Sequence, residues 1–196
     1  MNRLRYVNWL EGEEKLRSRE AAGSKGATTG QKQAGVGFSV RPRAYLEFLS
    51  VNGLFAEIRD LLAGVDMDAA ADLWGRSAAI RQLIVRTELP PQIEQEIIAA
   101  YEKLTQGSGG PGCSLSVQSR VMVTAAGQTA GRLTEKFDPY EDIQGPEQLI
   151  VYVKRCWARL WTPRALYCRQ QMGCPHLDVL PVVTVAKIPA KEAAIA

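Results

Sequence analysis

The residues best suited to ligand chemistry lie near the amino terminus, in a run of small residues around one lysine. The run extends over residues 21–30, and Lys25 lies in it between Gly23 and Gly26. Glycine lets the backbone approach a ligand closely, so that consecutive N–H groups can face it. The run therefore predicts a ligand-binding loop that leads into a short helix through residues 31–33.

The cysteines and the one histidine are the other residues with potential chemistry. Cys168, Cys174 and His176 could supply three zinc ligands, but the paired C-x-x-C spacing of structural zinc sites is absent. We therefore predict no metal site and four reduced thiols, of which Cys156 is buried on a helix.

Composition limits the classes of protein to consider. The 196 residues are 46% apolar and 23% charged, which is typical of a soluble globular protein. No apolar run reaches the roughly 18 residues of a membrane span, and no secretory signal opens the chain. We expect a cytoplasmic protein without a membrane partner.

Charge is distributed unevenly along the chain. Lys and Arg against Asp and Glu give 9 − 5 = +4 for residues 1–50, 8 − 14 = −6 for 51–150, and 7 − 2 = +5 for 151–196. Basic ends that fold together could form a cationic face for phosphate, and a solvated surface without a partner is the alternative. Nucleic-acid binding needs denser clustering, so we predict no nucleic-acid partner.

The elements that must position these residues alternate between helices and strands. A strand over residues 35–40 precedes helices over Pro42–Leu49 and Leu54–Leu62. Asp66 or Asp68 is expected to cap the next helix, whose apolar positions include Leu73, Trp74 and Ile80, and a further helix starts at Pro90–Pro91.

The second half of the chain supplies the strand with candidate ligand residues. Alternating residues from Leu115 to Val123 predict a strand with Gln118 and Arg120 on one face. A helix from Pro146, a helical turn after Thr162, a strand over Val179–Val185 and a frayed tail from Lys187 follow. This order predicts a mixed α/β or α+β domain.

Several of these segments resemble the amino-terminal domain of phosphoenolpyruvate synthase and pyruvate phosphate dikinase. The family signatures are G-G-K-G-A, A-G-V-P-V-P-P-G-F-A-V, A-Y-x-x-F-L and G-x-E-x-L followed by C-W-A-S-L-[FW]-T-x-R-A. The matching residues here are Gly23–Ala27, Ala34–Val40, Ala44–Leu49, Gly145–Leu149 and Cys156–Ala165.

The resemblance implies a partial ATP-grasp-type nucleotide-binding domain over residues 1–190 with a helical subdomain over about 42–106. A Gly-rich joint at 106–112 and a disordered tail at 191–196 complete the predicted organisation. Lys25 matches the lysine that reaches ATP phosphates in the family, and Gln118 stands where the family has an arginine. Arg120 lies about 7 Å further along the same strand face and could substitute.

The chain also departs from the family. Residues 122–126 lack the acidic pair of A-T-A-E-D-x-P, and the chain ends before the half that supplies the Mg²⁺-binding carboxylates in the family. The resemblance therefore implies a truncated, degenerate domain with no catalytic or metal-binding residue of its own. ATP or ADP would bind weakly, and Mg²⁺ only if a partner chain supplied ligands.

Three functions are compatible with these residues. The first is a nucleotide-binding module without autonomous phosphotransferase activity. The second is a non-catalytic interaction protein, docking through an open edge of the Val179–Val185 strand or through Trp157 and Trp161, for which core packing is the alternative. The third is one subunit of a split ATP-dependent pyruvate phosphotransferase.

Overall fold

One antiparallel sheet with helices against one of its faces organises the computed structural model, which describes residues 4–10, 36–106, 113–123 and 137–188. The strands are β1 (Val7–Trp9), β2 (Gly37–Val40), β3 (Leu115–Val123), β4 (Tyr140–Ile143) and β5 (Val179–Lys187). The helices are α1 (Pro42–Val51), α2 (Leu54–Leu62), α3 (Ala70–Arg86), α4 (Pro91–Thr105), α5 (Pro146–Ala158) and α6 (Pro163–Gln171).

The sheet has the strand order β1-β2-β5-β3-β4, and every neighbouring pair is antiparallel. Segregated helices and an antiparallel sheet confirm the predicted α+β class. None of the described helices is long and apolar enough to cross a lipid bilayer.

The core lies between the helices and the inner face of the sheet. Inward residues of the three central strands are fully buried, among them Phe38, Val117 and Val183. Trp157 on α5 packs its ring 5.1 Å from that of Phe48, measured between ring centroids. The burial of apolar side chains between these two layers is the main source of stability for the sheet, whose other face is not covered by the described helices.

Gly37 allows the two central strands β2 and β5 to approach each other. A Cβ atom built on Gly37 would lie 2.2 Å from the carbonyl oxygen of Val185. No side chain fits at that distance, so this position requires glycine.

Two predictions about α3 are wrong. The helix has Ala69 at its N-cap with no side-chain hydrogen bond, so neither Asp66 nor Asp68 caps it. Asp66 Oδ1 instead accepts from the backbone N–H groups of Asp68 and Ala69 and closes the turn before the helix. Trp74 is 62% exposed, because it points away from the buried stripe formed by Leu73, Ile80 and Ile84.

The two surfaces predicted as possible protein-docking sites are largely used within the fold. The strand β5 lies inside the sheet: its whole length pairs with β3, and its residues 183–186 also pair with β2, so only residues 179–182 have no strand partner on the β2 side. Trp157 and Trp161 are each 1% exposed, and Trp161 Nε1 donates to Tyr45 Oη at 2.9 Å. Core packing, the alternative for both tryptophans, is confirmed, and β5 also extends through Lys187, where we expected a frayed tail.

Candidate functional site

The outer face of the sheet carries the two candidate ligand residues that the structure describes. Along β3 the side chains of Leu115, Val117 and Ser119 point inward and are buried. Gln118 is partly exposed and Arg120 is exposed, as alternation along a strand requires. We call this outer surface of β1, β2, β5 and β3 the open face.

Strand register places Gln118 in a polar row that crosses four strands. Gln118 pairs with Thr184 on β5, Thr184 with Ser39 on β2, and Ser39 with Asn8 on β1. With neighbouring strands about 4.8 Å apart, the row is about 14 Å long. It presents two hydroxyls and two amides side by side, which are donors suited to phosphate oxygens.

A second row beside it carries a cation on each side of one valine. Arg120 pairs with Val182, and continuing the register of Val40 and Val183 by one residue puts Arg41 on the other side of Val182. The backbone of Arg41 is still extended (φ −71°, ψ 150°) before α1 begins. The backbones of the two arginines are thus about 10 Å apart, two strand spacings.

The guanidinium of Arg41 is held over the polar row. Its Nη2 donates to Asn8 Oδ1, while its Nε is buried and has no hydrogen-bond partner. Arg120 makes no ion pair with a carboxylate of the described residues. The exposed guanidinium of Arg120 therefore remains for a bound anion, and Arg41 can offer the N–H groups of its guanidinium other than the buried Nε–H.

The charge of the open face has one sign. The outward positions of β1, β2, β3 and β5 within the described residues carry arginine, polar and apolar side chains and no carboxylate. The carboxylates of Glu141 and Asp142 belong to the edge strand β4, in an irregular stretch where Asp142 has φ of 59°. Such a surface favours anions over cations.

A magnesium ion does not fit the donor set of the open face. Mg²⁺ is held in proteins by carboxylates together with water and phosphate oxygens, and the described outward positions of the four strands offer none. Among residues 4–10, 36–106, 113–123 and 137–188 no group of three or more His, Cys, Asp or Glu side chains could hold a metal ion.

Gly23, Lys25 and Gly26 lie outside the described residues. Their segment joins β1 to β2, and its flanks meet where the backbone N–H of Leu10 donates to the carbonyl of Gly37 at 3.0 Å. Gln118 and Arg120 are brought to one face as predicted. Arg41, Ser39 and Thr184 were missed, because only strand register shows that they lie beside those two residues.

Two titratable side chains whose pKa values are shifted by burial, Cys156 and His176, are not part of the rows on the open face. Burial raises the pKa of the Cys156 thiol to about 11, so this thiol stays protonated and packs as a small apolar group. His176 accepts from Arg169 Nε at 3.3 Å. Burial, followed by repulsion from the Arg169 guanidinium, lowers the pKa of His176 from 6.5 to about 4.

A groove in the described part of the chain lies in the helical layer between α2 and α3. It encloses about 630 Å³ and is lined in part by Glu57, Asp60, Gln82 and Arg86. The groove is shallow and mixes both signs of charge at its rim. It lacks the converging donors of one sign that the open face provides, so we do not assign the ligand site to it.

The chain belongs to the family described as the AMP/ATP-binding domain of pyruvate phosphate dikinase, which matches residues 19–194. This confirms the resemblance found in the sequence. A probable phosphoenolpyruvate synthase of Methanocaldococcus jannaschii is 33% identical over 196 residues, covering 97% of this chain and 16% of the relative. The probable phosphoenolpyruvate synthase of Staphylothermus marinus is 34% identical over 189 residues, covering 94% of this chain and 22% of the relative.

The phosphoenolpyruvate synthase of Aquifex aeolicus is 31% identical over 191 residues, which cover 93% of this chain and 22% of that protein. The chain thus spans between 16% and 22% of the length of these three curated relatives.

Proposed function

We propose that this chain binds an adenine nucleotide weakly, with the phosphates on the open face. The observation that carries the proposal is the pair of guanidinium groups, Arg41 and Arg120, on a surface of four strands without a described carboxylate. The family's description as an AMP/ATP-binding domain supports the choice of an adenine nucleotide.

Each group on the open face would have a definite task. Arginine forks match phosphate oxygens in a bidentate manner, and hydrogen bonds to a charged group contribute about 1.5–3 kcal/mol each. Thr184 and Ser39 can donate their hydroxyls, and the Gln118 amide can donate one further bond. In this proposal Lys25, with Gly23 and Gly26, adds a point charge and backbone donors from the segment between β1 and β2.

We further propose that the chain does not transfer a phosphoryl group on its own. Phosphoryl transfer depends on cations and metal ions that stabilise charge on the transferred oxygens. Gln118 is neutral where the family has arginine, and removing one such donor typically costs about 10²–10³ in rate. The open face would therefore bind a nucleotide in the cytoplasm without activating it.

A phosphotransferase of the relatives' kind is the second candidate. The relatives are phosphoenolpyruvate synthases by name, and this chain matches between 16% and 22% of their length. The rest of such an enzyme, in the same polypeptide or in a partner chain, would have to supply the Mg²⁺ ligands and the acceptor site. The interaction-protein alternative is less favoured, because Trp157 and Trp161 are buried and residues 183–185 of β5 are paired on both sides.

Thermal unfolding in the presence of nucleotide tests the binding proposal. At a free concentration one hundred times Kd, ADP or Mg-ATP should stabilise the fold by about 2.7 kcal/mol, which raises Tm by about 2–4 °C per kcal/mol. Arg120→Gln and Lys25→Ala should each reduce the rise at a fixed nucleotide concentration. Arg59→Gln, which removes an exposed arginine from the helical layer, is the matched control and should respond like the wild type.

Two results would contradict this function. A titration that stays flat up to millimolar nucleotide would exclude useful binding. If Arg59→Gln reduced the nucleotide-induced rise in Tm as much as Arg120→Gln does, binding would depend only on the total charge of the protein.

A further inference from the structure

A glutamate on the helical layer holds the edge strand that borders the open face. Glu96 on α4 accepts three backbone hydrogen bonds from the first residue of β1 and the two residues before it. The N–H groups of Tyr6 and Val7 donate to its Oε1 at 2.6 and 2.8 Å, and the N–H of Arg5 donates to its Oε2 at 3.0 Å. These contacts join residues about ninety positions apart in sequence.

This contact compensates for a weakness of β1. The strand has only three residues and pairs on one side, with β2, so its other edge presents backbone groups without a strand partner. A carboxylate that accepts several N–H bonds is a strong acceptor, because the bonds are charge-assisted. Glu96 thus takes the position that a further strand would otherwise occupy.

The strand held in this way carries a side chain of the open face. Asn8 follows Val7 directly, points outward beside Ser39, and accepts from the guanidinium of Arg41. A second carboxylate, Glu47, binds only side chains before the strand: the Tyr6 hydroxyl at 2.6 Å and the Arg5 guanidinium at 3.2 Å. Of these two glutamates, only Glu96 holds the backbone of the residue that precedes Asn8.

We propose that Glu96 is a positioning residue for the nucleotide site: by holding the backbone of β1 it places Asn8, and Asn8 orients the Arg41 guanidinium toward the bound phosphate. The proposal rests on the proposed nucleotide function. Among the described residues the Glu96 carboxylate accepts from the backbone N–H groups of Arg5, Tyr6 and Val7, and its action on the open face would therefore be indirect.

The test compares Glu96→Gln with Glu102→Gln, which removes an exposed carboxylate from the same helix. Amide hydrogen exchange measures the hold on β1. In Glu96→Gln the amides of Tyr6 and Val7 should exchange at least about tenfold faster, while the amides of Val117 and Val183 in the sheet centre keep their protection. Glu102→Gln should leave both sets unchanged.

Nucleotide affinity separates positioning from general destabilisation. ADP should bind about tenfold more weakly to Glu96→Gln, and a similar loss is expected for Arg41→Gln. Because the two residues act in series, adding Glu96→Gln to Arg41→Gln should cause no further loss. A contribution to stability alone would not produce this dependence on Arg41.

The possible outcomes are distinct. Faster exchange at Tyr6 and Val7 with unchanged ADP affinity would overturn the positioning role and leave the proposed function intact, as would affinity losses that add in the double variant. Unchanged exchange at these amides would show that Glu96 does not hold β1 and would overturn the inference at its first step. A wild-type chain that binds no ADP would refute the proposed function, and the inference with it.

Discussion

At the scale of single residues, Gln118 is the position where a change should strengthen binding. It lies in the polar row, two positions before Arg120 along β3, and its side chain is on the same face of the strand. Gln118→Arg would add a third cation to the open face and should tighten ADP binding about three- to tenfold, because a guanidinium makes stronger bonds to phosphate than an amide does. Isothermal titration calorimetry measures the change.

Ser116→Arg supplies the control for that prediction. Ser116 faces outward on the same strand, about 7 Å from Gln118 and further from Arg120. If the site is specific in position, the added charge at 116 should improve affinity much less than the charge at 118. Equal gains from both variants would indicate diffuse attraction and would contradict a defined phosphate site.

His176 provides a prediction about pH, and it is the one histidine in the chain. Its folded pKa is about 4, against 6.5 as the ordinary value. Between these values the unfolded chain binds a proton that the folded chain does not, so the free energy of unfolding should fall as pH decreases from about 6.5 toward 4. Urea unfolding at several pH values between 7 and 5 should show the decline in the free energy of unfolding. This range lies above the usual carboxyl pKa values, so the histidine dominates the change.

The variant His176→Gln should lose that decline between pH 7 and 5. Proton NMR of the imidazole gives the folded pKa directly. A folded imidazole that titrates near 6.5 would refute the explanation, whatever the unfolding data show.

At the scale of secondary-structure elements, the contact between β2 and β5 should be the least tolerant of added volume. Gly37→Ala would place a methyl group 2.2 Å from the Val185 carbonyl oxygen, so the strands would have to separate. We expect a loss of about 1–3 kcal/mol or more in the free energy of unfolding. Equilibrium denaturation in urea measures it.

The matched substitution Gly75→Ala should act in the opposite direction. Gly75 lies in α3, where an added Cβ would meet nothing within 4 Å, and alanine is the better helix former by about 0.8–1.0 kcal/mol. A Gly37→Ala protein as stable as the Gly75→Ala protein would show that the central strands are not closely packed at residue 37.

The helices were easier to predict from sequence than the strands. Pro42, Pro91, Pro146 and Pro163 each start a helix, and these starts are local signals. The strands β1 and β4 were not predicted, because three or four residues without clear alternation become a strand only through their neighbours. The central position of β5 also depends on pairing, which a single strand's sequence does not contain.

At the scale of the whole molecule, the fold places the helices from the acidic middle of the chain and the arginines of the open face on opposite sides of the sheet. The acidic middle of the chain supplies α2, α3 and α4 in the helical layer, whereas Arg41 and Arg120 reach the open face on the other side of the sheet. Alternation along β3 was enough to predict that Gln118 and Arg120 share a face. Arg41 could not be found in the same way, because its place beside Val182 depends on register between β2 and β5.

Binding of the nucleotide phosphates on the open face is tested most directly by chemical-shift mapping. Amide resonances of the ¹⁵N-labelled chain would be followed during titration with ADP. We predict the largest shifts at Ser39, Gln118 and Thr184, in the polar row. Shifts concentrated around Leu61 and Leu83 in the groove of the helical layer, or no shifts up to millimolar ADP, would contradict the account.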